Sequence, residues 1–308
     1  MANIMITGAS GFLGSALALN FAGSGHEVTL LVRPKSSMHR LGSKATEFRT
    51  IRVDSDSSLA NAVSVSAPDV LIHTACSYGR KDETPLAIFD ANIRLGLLLL
   101  QSAANLDHPV TFINTGTVIE HDVSDYALSK SQFSEWGRRL AIRSLGHLKF
   151  INVLLQHMYG PGDDATKFST HIIQSCLRND PHILLTPGAQ RRDFIHVDDV
   201  VSAYETLVRQ ASAWQEVSVD VEIGSGEAPT LREFVELVHK LTGSSAVLGF
   251  GAIPYRSNEG MHYRADLTRM RSIGWSPRIS LVDGLRRAIQ AERDALEFIR
   301  ITSNPSKA

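Results

Sequence analysis

Short apolar runs recur along the first half of the chain at residues 4–6, 28–32, 49–53, 70–73, 110–114 and 150–155, with helix-like segments between most of them, the first at 15–22. Strands alternating with helices are the pattern of a doubly wound parallel sheet, so the expected class is α/β of the Rossmann type. After Tyr159-Gly160-Pro161-Gly162 the character changes: turn residues become denser and strands more isolated. The expected pieces there are a helix over 167–178, a strand over 182–185, a helix over 197–210, a strand over 218–223 and a helix over 231–241. Thr230 and Glu233 have capping-box spacing for that last helix.

This pattern predicts two domains. Residues 1–160 form a dinucleotide-binding domain, to whose sheet a segment near 197–223 returns, and 161–196 with 224–301 form a smaller α+β domain for substrate. Residues 302–308 are expected to be a frayed tail.

Composition narrows the partners. A chain of 308 residues, 43% of them hydrophobic, can bury a sizeable core. Its 31 basic and 32 acidic residues leave a net charge of −1, so no chain-wide field favours nucleic acid or an anionic membrane, and phosphate recognition must be local. Cys76 and Cys176 are far apart in sequence, and the first sits where a buried free thiol is common, which suits a reducing compartment. The apolar run 95–100 is too short to span a bilayer, and no signal-peptide pattern precedes the first strand, so a cytoplasmic location is expected.

Chemistry begins at Thr7-Gly8-Ala9-Ser10-Gly11-Phe12-Leu13-Gly14, between the first strand and the first helix. Gly8, Gly11 and Gly14 let the backbone turn tightly and approach a pyrophosphate, which Ser10, Phe12, Leu13 and the helix amides would receive. Without a ligand the same residues make an ordinary tight turn. The strand-like run 28–32 follows at βαβ distance and favours the dinucleotide. That strand ends Val32-Arg33-Pro34-Lys35-Ser36-Ser37, with no acid for the adenosine ribose hydroxyls. Arg33 suits a 2′-phosphate, so NADP(H) is preferred, with NAD(H) possible.

Tyr126 and Lys130 in Tyr126-Ala127-Leu128-Ser129-Lys130 are four apart and share a helix face. A lysine so placed lowers the phenol pKa and makes the tyrosine a proton donor or acceptor. Thr115, at the carboxyl end of the strand 110–114, would hydrogen-bond the same substrate oxygen. Hydride transfer to a ketone needs such a group of residues. The histidines show no ligand spacing, so no metal is expected; His73 reads as a strand residue, and Asp198-Asp199 as a helix N-terminal charge feature.

With the glycine turn, Thr115, Tyr126 and Lys130 together, the chain resembles the short-chain dehydrogenase/reductase superfamily, in its extended, nucleotide-sugar-modifying branch. The resemblance implies that Thr74-Ala75-Cys76 line the cofactor, that Asp54-Ser55 meet the adenine, and that Asn92, from an N-x-x-x-G helix, belongs to the cofactor site. It also implies that Arg192, in Arg192-Asp193-Phe194-Ile195-His196-Val197, and Arg256 hold the substrate diphosphate, with Tyr78, Thr117 and His157 near the sugar. His157 stands where many relatives have asparagine. Gly116-Thr117 stands where the 4,6-dehydratases of this branch carry Asp-Glu, which argues against a dehydratase. The segments 114–117, 126–133, 157–164 and 251–256 are most similar to the 4-keto-6-deoxyhexose reductases, the subgroup that includes CDP-abequose and CDP-paratose synthases.

The resulting expectation is NADPH-dependent reduction of the C4 ketone of a CDP- or dTDP-linked 4-keto-6-deoxyhexose, in the making of a deoxysugar for a surface polysaccharide or glycoside. A homodimer is expected, through the helices carrying Asn92 and Tyr126. Two other readings stand beside it: a nucleotide-sugar 4-epimerase that retains NAD, and a non-catalytic NADP-binding regulatory protein.

Overall fold

Strands that are apolar on both faces must be covered on both, and the sequence supplies a helix after most of them. The computed structural model describes residues 1–80, 82–210 and 213–302. In chain order its strands are β1 (Asn3–Thr7), β2 (Glu27–Val32), β3 (Arg49–Arg52), β4 (Val70–His73), β5 (Val110–Thr115), β6 (Leu148–Leu155), β7 (His157–Tyr159), β8 (His182–Leu185), β9 (Phe194–His196), β10 (Ser218–Ile223) and β11 (Val247–Phe250). The helices are α1 (Phe12–Gly23), α2 (Asp56–Ser66), α3 (Pro85–Phe89), α4 (Leu95–Ala104), α5 (Asp125–Arg143), α6 (Phe168–Arg178), α7 (Val197–Gln210), α8 (Leu231–Thr242), α9 (Thr268–Ser272) and α10 (Leu281–Thr302).

The chain forms two compact units. The first takes the described residues of Met1–Leu155, Val201–Ile223 and Asp266–Ser276; the second takes Gln156–Val200, Gly224–Ala265 and the chain from Pro277 on. In the first, seven parallel strands run in the order β10-β6-β5-β4-β1-β2-β3. The segment expected to return to the sheet does so, as β10 pairs in parallel with β6 from Ser218 opposite Phe150 to Ile223 opposite Leu155. Strand order reverses at β1 and β4, and a crevice at such a switch point is where open α/β sheets bind ligands.

Core packing in this unit joins Met5, Leu71, Phe112 and Phe150 of the strands to Leu99, Leu100 and Phe133 of α4 and α5. A π-helical turn, Asp90–Arg94, joins α3 to α4, so residues 85–104 run as one helix. The short apolar run seen in sequence is therefore part of a longer element, which by length and composition alone reaches membrane-spanning size. Its inner side, with Ile88, Ile93, Leu99, Leu100 and Ala103, is buried.

The second unit contains two small parallel pairs, β8 with β11 and β7 with β9. Helix α8 starts on the predicted capping box: Thr230 Oγ1 accepts from Glu233 N at 3.1 Å, and Thr230 N donates to Glu233 Oε2 at 2.7 Å. Its Phe234 stacks on Phe194 with ring centres 4.0 Å apart. Ile172 and Ile173 of α6 and Leu285 and Ile289 of α10 complete this core. The pairs β7–β9, the strand β11 and the helix α10 are additions to the elements expected from sequence. Three-residue strands leave too short a pattern to read. The expected tail lies outside the described residues from 303 on.

Candidate active site

The glycine turn follows β1. Gly8 adopts φ +68°, where a side chain is strained, and a Cβ there would come within 2.6 Å of Ala75 N and 2.7 Å of Thr74 Oγ1. A Cβ on Gly14 would lie 2.3 Å from the Gly8 carbonyl oxygen. The first approach sets the turn against the loop after β4, and the second closes the turn on itself. Gly11 caps α1 without a side chain, and no acid occupies the first turn, so no carboxylate competes for the helix N-terminus. Ser10 and Phe12 flank it half-buried, while Leu13 packs inward. The cradle fits a dinucleotide pyrophosphate.

At the end of β2, Arg33 and Lys35 are exposed. Their loop is held by Arg52 of β3, whose Nη1 donates to the carbonyl oxygens of Pro34 at 2.7 Å and Arg33 at 3.2 Å. The 3₁₀ segment His39–Glu47 places the Arg40 guanidinium 5.8 Å from the Phe12 ring centre. Sequence reasoning missed Arg40, because only this fold-back brings it to the glycine turn. Asp54 and Ser55 are exposed beyond β3, where they build the start of α2: Ser55 Oγ accepts from Ser58 N at 3.2 Å, and Ser58 Oγ donates to Asp54 Oδ1 at 3.2 Å.

Across the switch point, Thr74 Oγ1 donates to the Thr7 carbonyl oxygen at 2.7 Å, and Ala75 N donates to Thr7 Oγ1 at 3.4 Å. The same Thr7 hydroxyl lies 2.7 Å from His73 Nδ1. Burial, with Lys130 nearby, lowers the His73 pKa to about 3, so the ring stays neutral as a core residue. Asn92 is fully buried. Its Oδ1 accepts from Ser77 N at 2.6 Å, and its Nδ2 donates to the Ser77 carbonyl oxygen at 2.8 Å and to Ser129 Oγ at 2.9 Å. Both amide protons are thus engaged within the protein, and Asn92 acts by tying the loop after β4 to α5.

Helix α5 carries Tyr126 and Lys130. Ser124 caps it by accepting from Ala127 N at 3.2 Å, which fixes where the tyrosine leaves the helix. The Tyr78 ring lies beside Tyr126, tilted by 34° with ring centres 4.9 Å apart, and the Arg80 guanidinium lies 4.9 Å from the Tyr78 ring centre. Burial raises the Tyr126 phenol pKa first, and Cys76 adds to this, while a hydrogen bond with Thr117 and the charge of Arg80 lower it. The expected lowering by Lys130 is not what this geometry produces. Lys130 is 2% exposed, its ammonium lowered by burial, and the group acting on it is Cys76.

Thr115 is half-buried at the end of β5, and its hydroxyl lies 2.7 Å from the Tyr204 hydroxyl of α7. Thr117, two residues on, is the threonine bonded to Tyr126. Tyr204 is a second residue the sequence reading missed. It lies 89 positions from Thr115 in a helix that otherwise reads as amphipathic.

Between the two threonines, Gly116 donates its N–H to the Val153 carbonyl oxygen at 2.7 Å, and a Cβ there would lie 2.7 Å from Asn152 Oδ1. Asn152 in turn receives hydrogen bonds from Asn114 at 2.8 Å and Ser134 at 3.0 Å. An acidic side chain at 116 therefore displaces a buried polar network. We expect Gly116→Asp to lower stability by about 2–3 kcal/mol, read by urea unfolding; an unchanged midpoint would show that Asn152 can move aside.

The remaining candidates lie in the second unit. His157 starts β7, its ring 6.0 Å from Phe194 and 6.2 Å from Tyr263. Arg192 is 5% exposed, pairs with Glu259, and lies 4.7 Å from the Tyr263 ring centre. Arg256 is exposed. The Arg192 guanidinium thus already holds a carboxylate. Next to it, Asp193 is fully buried and accepts hydrogen bonds from Ser225 N, Ser225 Oγ, Gly226 N and Ala265 N at 2.6–3.1 Å. Asp199 accepts from Arg278 N at 3.0 Å and Ile279 N at 2.9 Å, so it too anchors backbone.

A switch-point glycine cradle beside a helix bearing tyrosine and lysine defines a dinucleotide-binding α/β protein of the Rossmann type. The NAD dependent epimerase/dehydratase family matches residues 4–224, and the chain belongs to that family. A CDP-abequose synthase of Salmonella typhimurium is 30% identical over 298 residues, covering 93% of this chain and 97% of that protein. Among solved structures, a UDP-glucose 4-epimerase of Thermotoga maritima with UDP-glucose has a TM-score of 0.83 at 21% identity, covering 96% of this chain and 99% of that one. A Thermus thermophilus UDP-glucose 4-epimerase in complex with NAD has a TM-score of 0.80 at 20% identity, covering 95% and 99%. At those identities the two structures speak for the fold.

Proposed function

We propose that the protein reduces the C4 ketone of a nucleotide-diphospho-4-keto-6-deoxyhexose, CDP- or dTDP-linked, using NADPH. The observation that carries this reading is Tyr126, a phenol bonded to Thr117 and one helical turn from the buried Lys130, on the unit that holds the glycine cradle. The resemblance to CDP-abequose synthase along nearly the whole chain supports the sugar class. The crowded Gly116 speaks against a dehydratase.

Gly8, Gly11, Gly14 and the first amides of α1 would hold the pyrophosphate, with Arg33 and Arg40 towards a 2′-phosphate. When bound, the nicotinamide supplies the hydride. Tyr126 gives its proton to the C4 oxygen as negative charge develops there, and Thr115 donates a hydrogen bond to the same oxygen. Lys130, buried one helical turn on, would hold the nicotinamide ribose. Arg192, shared with Glu259, and Arg256 would engage the diphosphate and lend remote binding energy to the reacting carbon.

The test is incubation with NADPH and a panel of CDP- and dTDP-linked 4-keto-6-deoxy sugars, the product identified by NMR. A 4-hydroxy product with loss of NADPH absorbance is expected; tightly bound NAD with interconversion of UDP-sugars would instead establish the 4-epimerase. Arg33→Ser is expected to raise the KM for NADPH about tenfold and leave that for NADH nearly unchanged, since one charge-assisted phosphate contact is lost. Equal effects on both cofactors would remove Arg33 from the site. For the assembly we propose a homodimer through α3 and α5, whose Leu86, Phe89, Leu128 and Trp136 are exposed. Light scattering would read a single-chain mass if this is wrong.

A further inference from the structure

Tyr204 stands in the middle of α7 with 0% of its surface exposed, and its phenol oxygen lies 2.7 Å from Thr115 Oγ1. Hydrogen positions follow from chemistry here. Burial raises the Tyr204 pKa, so the group is a neutral phenol with an O–H to place. A phenol, far more acidic than an aliphatic alcohol, is the better donor of the two. If Thr115 donated instead, the Tyr204 proton would be left in a dry interior without an acceptor, at a cost of about 1–3 kcal/mol. The stable arrangement has Tyr204 donating and Thr115 accepting.

Thr115 has one hydroxyl proton. With an oxygen lone pair taken by Tyr204, that proton must point away from Tyr204, and a hydroxyl that accepts one hydrogen bond becomes a stronger donor in the next. We infer that Tyr204 is a positioning residue which sets the polarity of Thr115, so that the threonine meets the substrate C4 oxygen as a hydrogen-bond donor and never as an acceptor. The inference rests on the reductase reading for the identity of that oxygen. It assigns Tyr126 and Thr115 different work: one transfers a proton, and the other holds the oxygen with a proton it keeps.

A purely structural role predicts something different. Tyr204 is a buried residue of α7, as are Ala203 and Leu207, and a ring that only fills space loses little when its hydroxyl is removed. Tyr204→Phe keeps the ring and deletes the donor. On a 4-keto sugar the variant is expected to lose about tenfold or more in kcat, with the KM for NADPH and the melting temperature close to those of the parent. In a Thr115→Val background the same change should cost nothing more, because the hydroxyl it orients is gone.

Near-parental kcat in Tyr204→Phe, or losses that simply add in the double variant, would overturn the inference while leaving the reductase standing. If the parent reduces none of the 4-keto sugars, the reductase reading fails, and the polarity is then read directly. In protein labelled with [13Cζ]tyrosine, a slowly exchanging Tyr204 hydroxyl proton that Thr115→Val abolishes and Thr117→Val preserves upholds Tyr204 as the donor. A Tyr204 signal unmoved by Thr115→Val overturns it.

Discussion

Replacing Tyr126 by phenylalanine is expected to lower turnover of a 4-keto sugar about 10²- to 10⁴-fold, the range over which a positioned proton donor contributes. The loss should fall on kcat. The ring remains beside Tyr78, and the Ser124 cap at the start of α5 is untouched. NADPH affinity and the melting temperature should therefore stay near their parental values. What disappears is the one phenolic proton that Thr117 and Arg80 hold in a more acidic state than burial alone would allow. A companion experiment gives the sign. Thr117→Val removes a hydrogen bond that lowers the phenol pKa, so the phenol becomes a weaker acid and kcat should fall, with the KM for NADPH near its parental value. Near-normal turnover in Tyr126→Phe would mean that another group delivers the proton.

The second large effect concerns stability. Asp193→Ala removes a fully buried carboxylate that accepts from the amides of Ser225, Gly226 and Ala265 as well as from the Ser225 hydroxyl. Each buried amide left without a partner costs about 1–3 kcal/mol, so even with partial relaxation a loss of about 3–5 kcal/mol is expected. That is a large share of the stability of an ordinary domain. A larger residue at the adjoining Gly224 cannot fill the space left, because a Cβ there would lie 2.6 Å from Ala265 Cβ and 2.8 Å from Gln156 Cγ. Hydrogen exchange at residues 225, 226 and 265 should accelerate most. A change below about 1 kcal/mol in urea unfolding would show that water replaces the carboxylate.

Asp193 also shows how far the sequence could be read. The arginine beside it announces phosphate binding in the sequence, whereas a buried carboxylate that ties two distant segments to its own has no local signature. The partners come from residues 225, 226 and 265, and nothing near position 193 in sequence hints at them. The same holds for Arg192, whose ion pair with Glu259 spans 67 positions, and for Asn92, whose bonds to Ser77 and Ser129 span 15 and 37.

What the sequence by itself determined is everything carried by short-range order. Apolar runs of strand length separated by helices specify a parallel sheet, a glycine spacing specifies a tight strand-to-helix turn, Thr230 and Glu233 specify a helix start, and a separation of four puts Tyr126 and Lys130 on one face. These features depend on backbone geometry and on neighbours a few residues away. Only the tertiary structure decided which groups surround the phenol, that Thr115 is partnered by Tyr204, that Arg40 reaches the glycine turn and that Gly116 has no room for a carboxylate. Hydrogen bonding and desolvation act over a few ångströms in space whatever the distance along the chain, so the fold was legible from local pattern while the electrostatics of the site waited on the packing of the strands and helices.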